Sequence, residues 1–169
     1  MHSADFSPGD LPDYQRRVYF RWRAACRGES LPLMEDFDFM SQDSASGALI
    51  LTEIIRDDSG MPIDFLPIYM GTSMTQGTGR HMLGKCLSVT PGKGPGSMIW
   101  AVYQTLARQG KPLLVSLPFV GKAPGVQSTC EVILPLRGAF PDEAGYALAA
   151  LQFLPHEANA GQAVKALGG

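Results

Sequence analysis

The chain has 169 residues, 45% of them hydrophobic, a mean hydropathy of +0.01 and a formal charge of −2. That length fits one domain with short extensions and a real core, and no apolar run reaches the roughly 18 residues that would span a bilayer. The small net charge gives no general case for nucleic acid. Three cysteines (Cys26, Cys86, Cys130), odd in number and widely spaced, make neither a disulfide framework nor a zinc cluster.

Residues 1–10, MHSADFSPGD, are polar and acidic, carry no secretory signal pattern and are expected to be flexible. Residues 11–28, LPDYQRRVYFRWRAACRG, read as a helix that Asp10 can cap, with Pro12 in its first turn and Gly28 stopping it. Tyr14, Val18, Trp22 and Cys26 recur every four residues, with Leu11 and Ala25 close by on the wheel. Such an apolar stripe must be buried against something. The same stretch holds Arg16, Arg17, Arg21, Arg23 and Arg27 against Asp13 alone, a local net charge of +4 that leaves −6 elsewhere, part of it in EDFD at 35–38. A solvent face pairing with nearby acids accounts for this. A docking face for an acidic partner is the sharper alternative; nucleic acid comes third, because no aromatic-basic interleaving continues beyond the helix.

After a connector the period changes. ALILTEIIRD (48–57) is apolar on both faces, DSG signals a turn, and PIDFLPIYMG (62–71) reads as the partner strand. Pro67 makes that partner an edge, because proline cannot donate to a ladder. Residues 72–96 are rich in glycine, threonine and serine and suggest brief helical turns near 73–77 and 78–83. SMIWAVYQTLARQGKP (97–112) is the clearest helix: Ser97 caps it, Ile99, Val102, Tyr103 and Leu106 form one stripe, and Gly110 and Pro112 end it. Three strand candidates follow at 112–120, 126–138 and 145–155. Short loops join them, so neighbours in sequence are expected to be antiparallel neighbours in space. The tail, 156–169, lacks a periodic apolar face and is expected to be frayed.

The fold class is therefore α+β. A five-stranded antiparallel sheet carries short helices and one longer helix on one face and is preceded by an amphipathic helix. The strands do not alternate cleanly, so both sheet faces should be covered; the N-terminal helix, or a second subunit, can cover the outer one.

GRHMLGKC (79–86) is one residue away from a phosphate-binding loop. Such a loop needs an entering strand, a lysine, and a Ser or Thr on magnesium opening a long helix. Here the strand ends near Met70, the magnesium position is Cys86, and Pro91 with its neighbouring glycines forbids the helix. The match is rejected.

Residues 45–155 resemble a PAS domain. The resemblance rests on the element order, on IYMGTSM (68–74), where a strand runs into glycine and short helices, and on TGRHMLGKCLS (78–88), where Gly84 and Lys85 form a helix stop and loop. YFRWRAACRGESLP (19–32) followed by DFD (36–38) is similar to the leader of a bacterial group often built as a single PAS domain. The resemblance implies a sensory or signalling protein that works through protein–protein contacts, usually as a homodimer with the leading helix at the interface. Tyr14, Val18, Trp22 and Cys26 would then be the dimer or docking residues. It implies no enzyme, and with no kinase, cyclase or DNA-binding segment among these residues the output is expected to pass through a protein partner.

Flavin and haem are not expected. Cys86 lies near the adduct cysteine of light-sensing members, but GKCLSVTP lacks their asparagine-cysteine-arginine core; the longer helix has no histidine for haem, and His81 alone falls inside the domain. A small organic ligand, or none, remains. Tyr69, Met74, Met82, Trp100, Tyr103, Phe119 and Cys130 are expected between helices and sheet, where such side chains line pockets but equally fill cores. Glu53 and Glu131 sit inside apolar strands, and either can pair with an arginine of the leading helix or face solvent. No catalytic or metal-binding set is expected. A cytoplasmic setting without membrane span follows from the absence of apolar runs and the reduced cysteines. The competing function is an enzyme or carrier with a cone-shaped α+β fold, which would need a convergent Asp, His or Tyr constellation.

Overall fold

The computed structural model describes residues 2–3, 6–28, 30–36, 48–78, 82–119, 125–140 and 143–155. The leading helix α1 spans Asp13–Ala25, shorter at both ends than the expected 11–28. Pro12 is its N-cap, with φ −52° and ψ 151° and no side-chain cap bond, so the helix starts one residue beyond it. Asp10, expected as the cap, belongs instead to a separate 3-10 turn, Pro8–Asp10, capped by Ser7. At the other end Cys26 turns to extended backbone and ends the helix before Gly28 is reached.

Hairpin strands β2 (Leu49–Arg56) and β3 (Pro62–Met70) pair antiparallel. Asp57 organises their turn: its Oδ1 accepts from the backbone N–H groups of Ser59 (2.9 Å) and Met61 (3.0 Å). Thr52 pairs with Pro67 while Leu51 pairs with Tyr69, so Ile68 bulges out where proline cannot donate. Helix α2 (Thr72–Thr78) follows, then a 3-10 turn at Leu87–Val89. The Gly84 N–H donates to Pro67 O (2.8 Å), pinning this segment onto the edge strand. Helix α3 spans Met98–Gln109; Ser97 Oγ accepts from the Trp100 N–H (3.2 Å), and Gly110 closes it at φ 60°, a conformation suited to glycine.

Strands β4 (Leu113–Pro118), β5 (Val126–Arg137) and β6 (Ala144–Pro155) complete an all-antiparallel sheet. The five expected strands run β4-β5-β6-β2-β3, with β3 at the edge as Pro67 requires. A sixth, β1 (His2–Ser3), pairs with β4 through His2↔Val115 and Ser3↔Leu114. The sequence pattern carried no sign of this pairing: β4 would otherwise present open backbone groups, and two extended residues suffice to cover part of them.

Both sheet faces are covered. On β5, Cys130 looks toward α1 and its neighbour Glu131 toward α3, as successive strand residues must. Ala147, Ala149 and Ala150 of β6 are fully buried, and their small side chains let elements on both faces come close. Phe65 anchors α3, meeting Trp100 edge-on at 5.0 Å and Tyr103 at 5.4 Å between ring centroids. Arg56 ties three elements together, donating to Gly60 O (2.8 Å), Ala107 O (2.9 Å) and Ala144 O (2.9 Å).

The β5–β6 hairpin closes so tightly that a Cβ on Gly145 would come within 2.3 Å of Gly138 Cα. Gly145→Ala is expected to cost about 1–3 kcal/mol through this backbone clash. A lower midpoint in urea would register it; an unshifted one would show that the hairpin end relaxes freely.

Candidate functional site

A cavity of about 270 Å³ lies between the inner sheet face and the helical layer. Its floor is built from alternate strand residues: Ile50 and Thr52 of β2, Leu117 of β4, Thr129 and Glu131 of β5, and Leu151 of β6. Met74 of α2, Met82, Leu87, Lys93 and Tyr103 of α3 cover it. Most of this wall is apolar. The polar side chains are those of Thr52, Tyr103, Thr129, Glu131, Lys93 and Ser97, the last already accepting from the Trp100 N–H.

Glu131 is 4% exposed. The Thr129 hydroxyl, two residues earlier on the same face, donates to its Oε1 at 2.6 Å. Burial pushes the Glu131 carboxyl up from its ordinary range; the Thr129 bond and the Lys93 charge pull the other way without overcoming it. Tyr103, fully buried, is pushed up by burial and by Glu131, while its hydroxyl meets Thr52 Oγ1 at 3.3 Å. Burial lowers Lys93, and the Glu131 carboxylate opposes that shift. The ammonium makes no ion pair with any described residue.

Of the seven residues expected in a pocket, Met74, Met82, Tyr103 and Phe119 line this one. Three do not. Trp100 is spent on Phe65, Tyr69 sits half-buried on the edge strand, and Cys130 faces α1 on the opposite side of the sheet. Thr52, Thr129 and Lys93 were missed, although the i, i+2 spacing of Thr129 and Glu131 in a strand places both on one face.

Glu131 is not paired with the leading helix. It points away from α1, whose Arg16 pairs with Asp13 and whose neighbouring Arg27 reaches Asp36 at 3.3 Å. Glu53, the other strand carboxylate, is half-buried near Arg56, Arg137 and Glu143. The stripe expected at a subunit interface lies against the chain's own sheet. Val18 and Trp22 are buried, Tyr14 and Cys26 pack against the core, and the Trp22 Nε1–H donates to Pro135 O at 2.7 Å. Gln15, fully buried beside them, donates to Cys130 O (2.7 Å) and Ala150 O (3.0 Å). The same-chain sheet thus satisfies the stripe, and as placed these residues do not face outward.

In the stretch resembling a phosphate loop, Lys85 is exposed and a 3-10 turn follows where a long helix would be needed; residues 79–81, His81 among them, lie outside the described residues. Cys86 is not on the cavity wall. Burial and the Asp64 carboxylate push its thiol up. No His, Cys, Asp or Glu triad able to hold a metal occurs among the described residues, nor any helix long and apolar enough to cross a membrane.

Five antiparallel strands in this order, with short helices and one capped helix over one face, decide the architecture. The fold is PAS-like. No family model and no curated protein matches the sequence. Among solved structures the chain is similar to a Rhodobacter sphaeroides LOV protein, at 18% identity and a TM-score of 0.44 over 70% of this chain and 65% of that one. It is also similar to a variant of RsLOV (17%, 0.45, 78% and 75%) and to a fungal LOV domain photoreceptor (19%, 0.41, 72% and 94%). The chain covers just under two thirds of the first of these.

Proposed function

We propose that the chain is a PAS-type sensory protein that binds a small organic ligand in this cavity and passes the signal to a protein partner. It works in the cytoplasm, as a homodimer and without catalysing a reaction, as the bacterial single-domain group it resembles suggests. The observation that supports this reading most is a mainly apolar cavity, partly open to solvent, with a buried carboxyl on its wall. Its volume falls just below the usual range for small-molecule sites, which favours a compact ligand.

Native mass spectrometry of freshly purified protein, paired with an absorption spectrum, tests it. The expected result is a non-covalent adduct that is lost on denaturation. A ligand-free mass, together with failure to take up any added probe, would leave a plain interaction module. Light scattering checks the dimer, which a single-chain mass would exclude.

A further inference from the structure

We infer that the cavity takes a small monocarboxylic acid with an apolar body, held as its anion between the Lys93 ammonium and the Glu131 end of the site. This inference rests on the cavity's being the ligand site, and it follows from counting hydrogen-bond donors. The Thr129 hydroxyl is used up on Glu131 Oε1, and no described residue bonds to the second carboxyl oxygen. Glu131 is buried and makes no ion pair with any described residue, which favours its protonated form and an O–H offered to the cavity. The Tyr103 and Thr52 hydroxyls share one bond between them and leave one hydrogen to give. Lys93 adds three N–H donors and a charge that makes no ion pair with any described residue, Glu131 acting on it only at longer range. The polar end therefore supplies protons and positive charge, and its complement supplies lone pairs and negative charge.

A carboxylate does both with two oxygens. An amine would bring a second cation beside Lys93 in a poorly solvated site. An uncharged amide could accept hydrogen bonds but would leave the lysine without a counter-charge. The remaining wall, with Met74, Met82, Leu117 and Phe119, receives the apolar body, and the volume suits one ring or a short branched chain.

Calorimetric titration of the full chain with phenylacetate, phenylacetamide and phenethylamine compares head groups on one body, with ethylbenzene as a headless control. Phenylacetate is expected to bind at least about tenfold more tightly than the other two, the scale of one charge-assisted hydrogen bond. Lys93→Met should remove that advantage, weakening phenylacetate far more than phenylacetamide, and Lys93→Arg should restore part of it. Equal or tighter binding of the amide or amine, or an indifferent Lys93→Met, overturns the carboxylate assignment. Uptake of ethylbenzene alone overturns the assignment yet keeps the cavity as a binding site. Exclusion of all four probes removes the binding-site reading itself.

Discussion

Trp22→Ala is expected to lower the unfolding free energy by about 3–5 kcal/mol, the range for truncating a buried large aromatic. The indole is 4% exposed and its N–H donates to Pro135 O, so the change opens a void and leaves a buried carbonyl without its partner. Phe20, two residues earlier, is 54% exposed, and Phe20→Ala should stay within about 0.5 kcal/mol. Urea unfolding followed by circular dichroism separates the two. A loss below about 1 kcal/mol at Trp22 would mean that α1 is not docked on its own sheet. Were the tryptophan a subunit contact instead, the substitution would dissociate the oligomer before it unfolded the chain.

The second large effect is on pH dependence. Glu131 has its folded-state pKa raised by burial, so the unfolded chain releases this proton more readily than the folded one. Its contribution is fully present below the unfolded glutamate value. Above that value stability falls, by up to about 1.4 kcal/mol per pH unit for one proton, until the folded pKa is passed. Lys93, lowered by burial, acts with the opposite sign in its own window below the ordinary lysine value. Tyr103, Thr129 and Cys130 also face or flank the carboxyl; the raised Tyr103 and Cys130 groups stay neutral in the pH range of interest. Glu131→Gln keeps an oxygen for the Thr129 hydroxyl but has no proton to lose. Thermal melts between pH 5 and pH 8 should therefore show the variant gaining stability relative to the parent as pH rises. Parallel curves would mean that the carboxyl is ionised throughout, with its charge met by Lys93.

How much of this was legible from residues alone differs between fold and site. The element order was readable because Gly60, Pro67, Ser97 and Gly110 punctuate it with specific backbone requirements. The ends of α1 were not, since Pro12 and Cys26 leave helical geometry for backbone reasons that the apolar stripe does not encode. Strand β1 is two residues long and has no pattern to read. In the cavity, the apolar part was accessible through Met74, Met82, Tyr103 and Phe119, whose types suit a wall. Trp100 was expected with Tyr103 between helix and sheet, yet it packs edge-on against Phe65 away from the cavity wall, and that contact depends on a strand distant in sequence. The polar end was hidden for two reasons. Lys93 sits in GKGPG, where no period assigns a direction, and choosing between Cys130 and Glu131 needs to know which sheet face the helices occupy.

Gln15 grips the oxygen of Cys130, and that oxygen belongs to the peptide plane whose nitrogen begins Glu131. The outer helix and the buried acid are thus mounted on one rigid amide, back to back. A tilt of that plane, driven from within, would be felt outside through the Gln15 side chain alone.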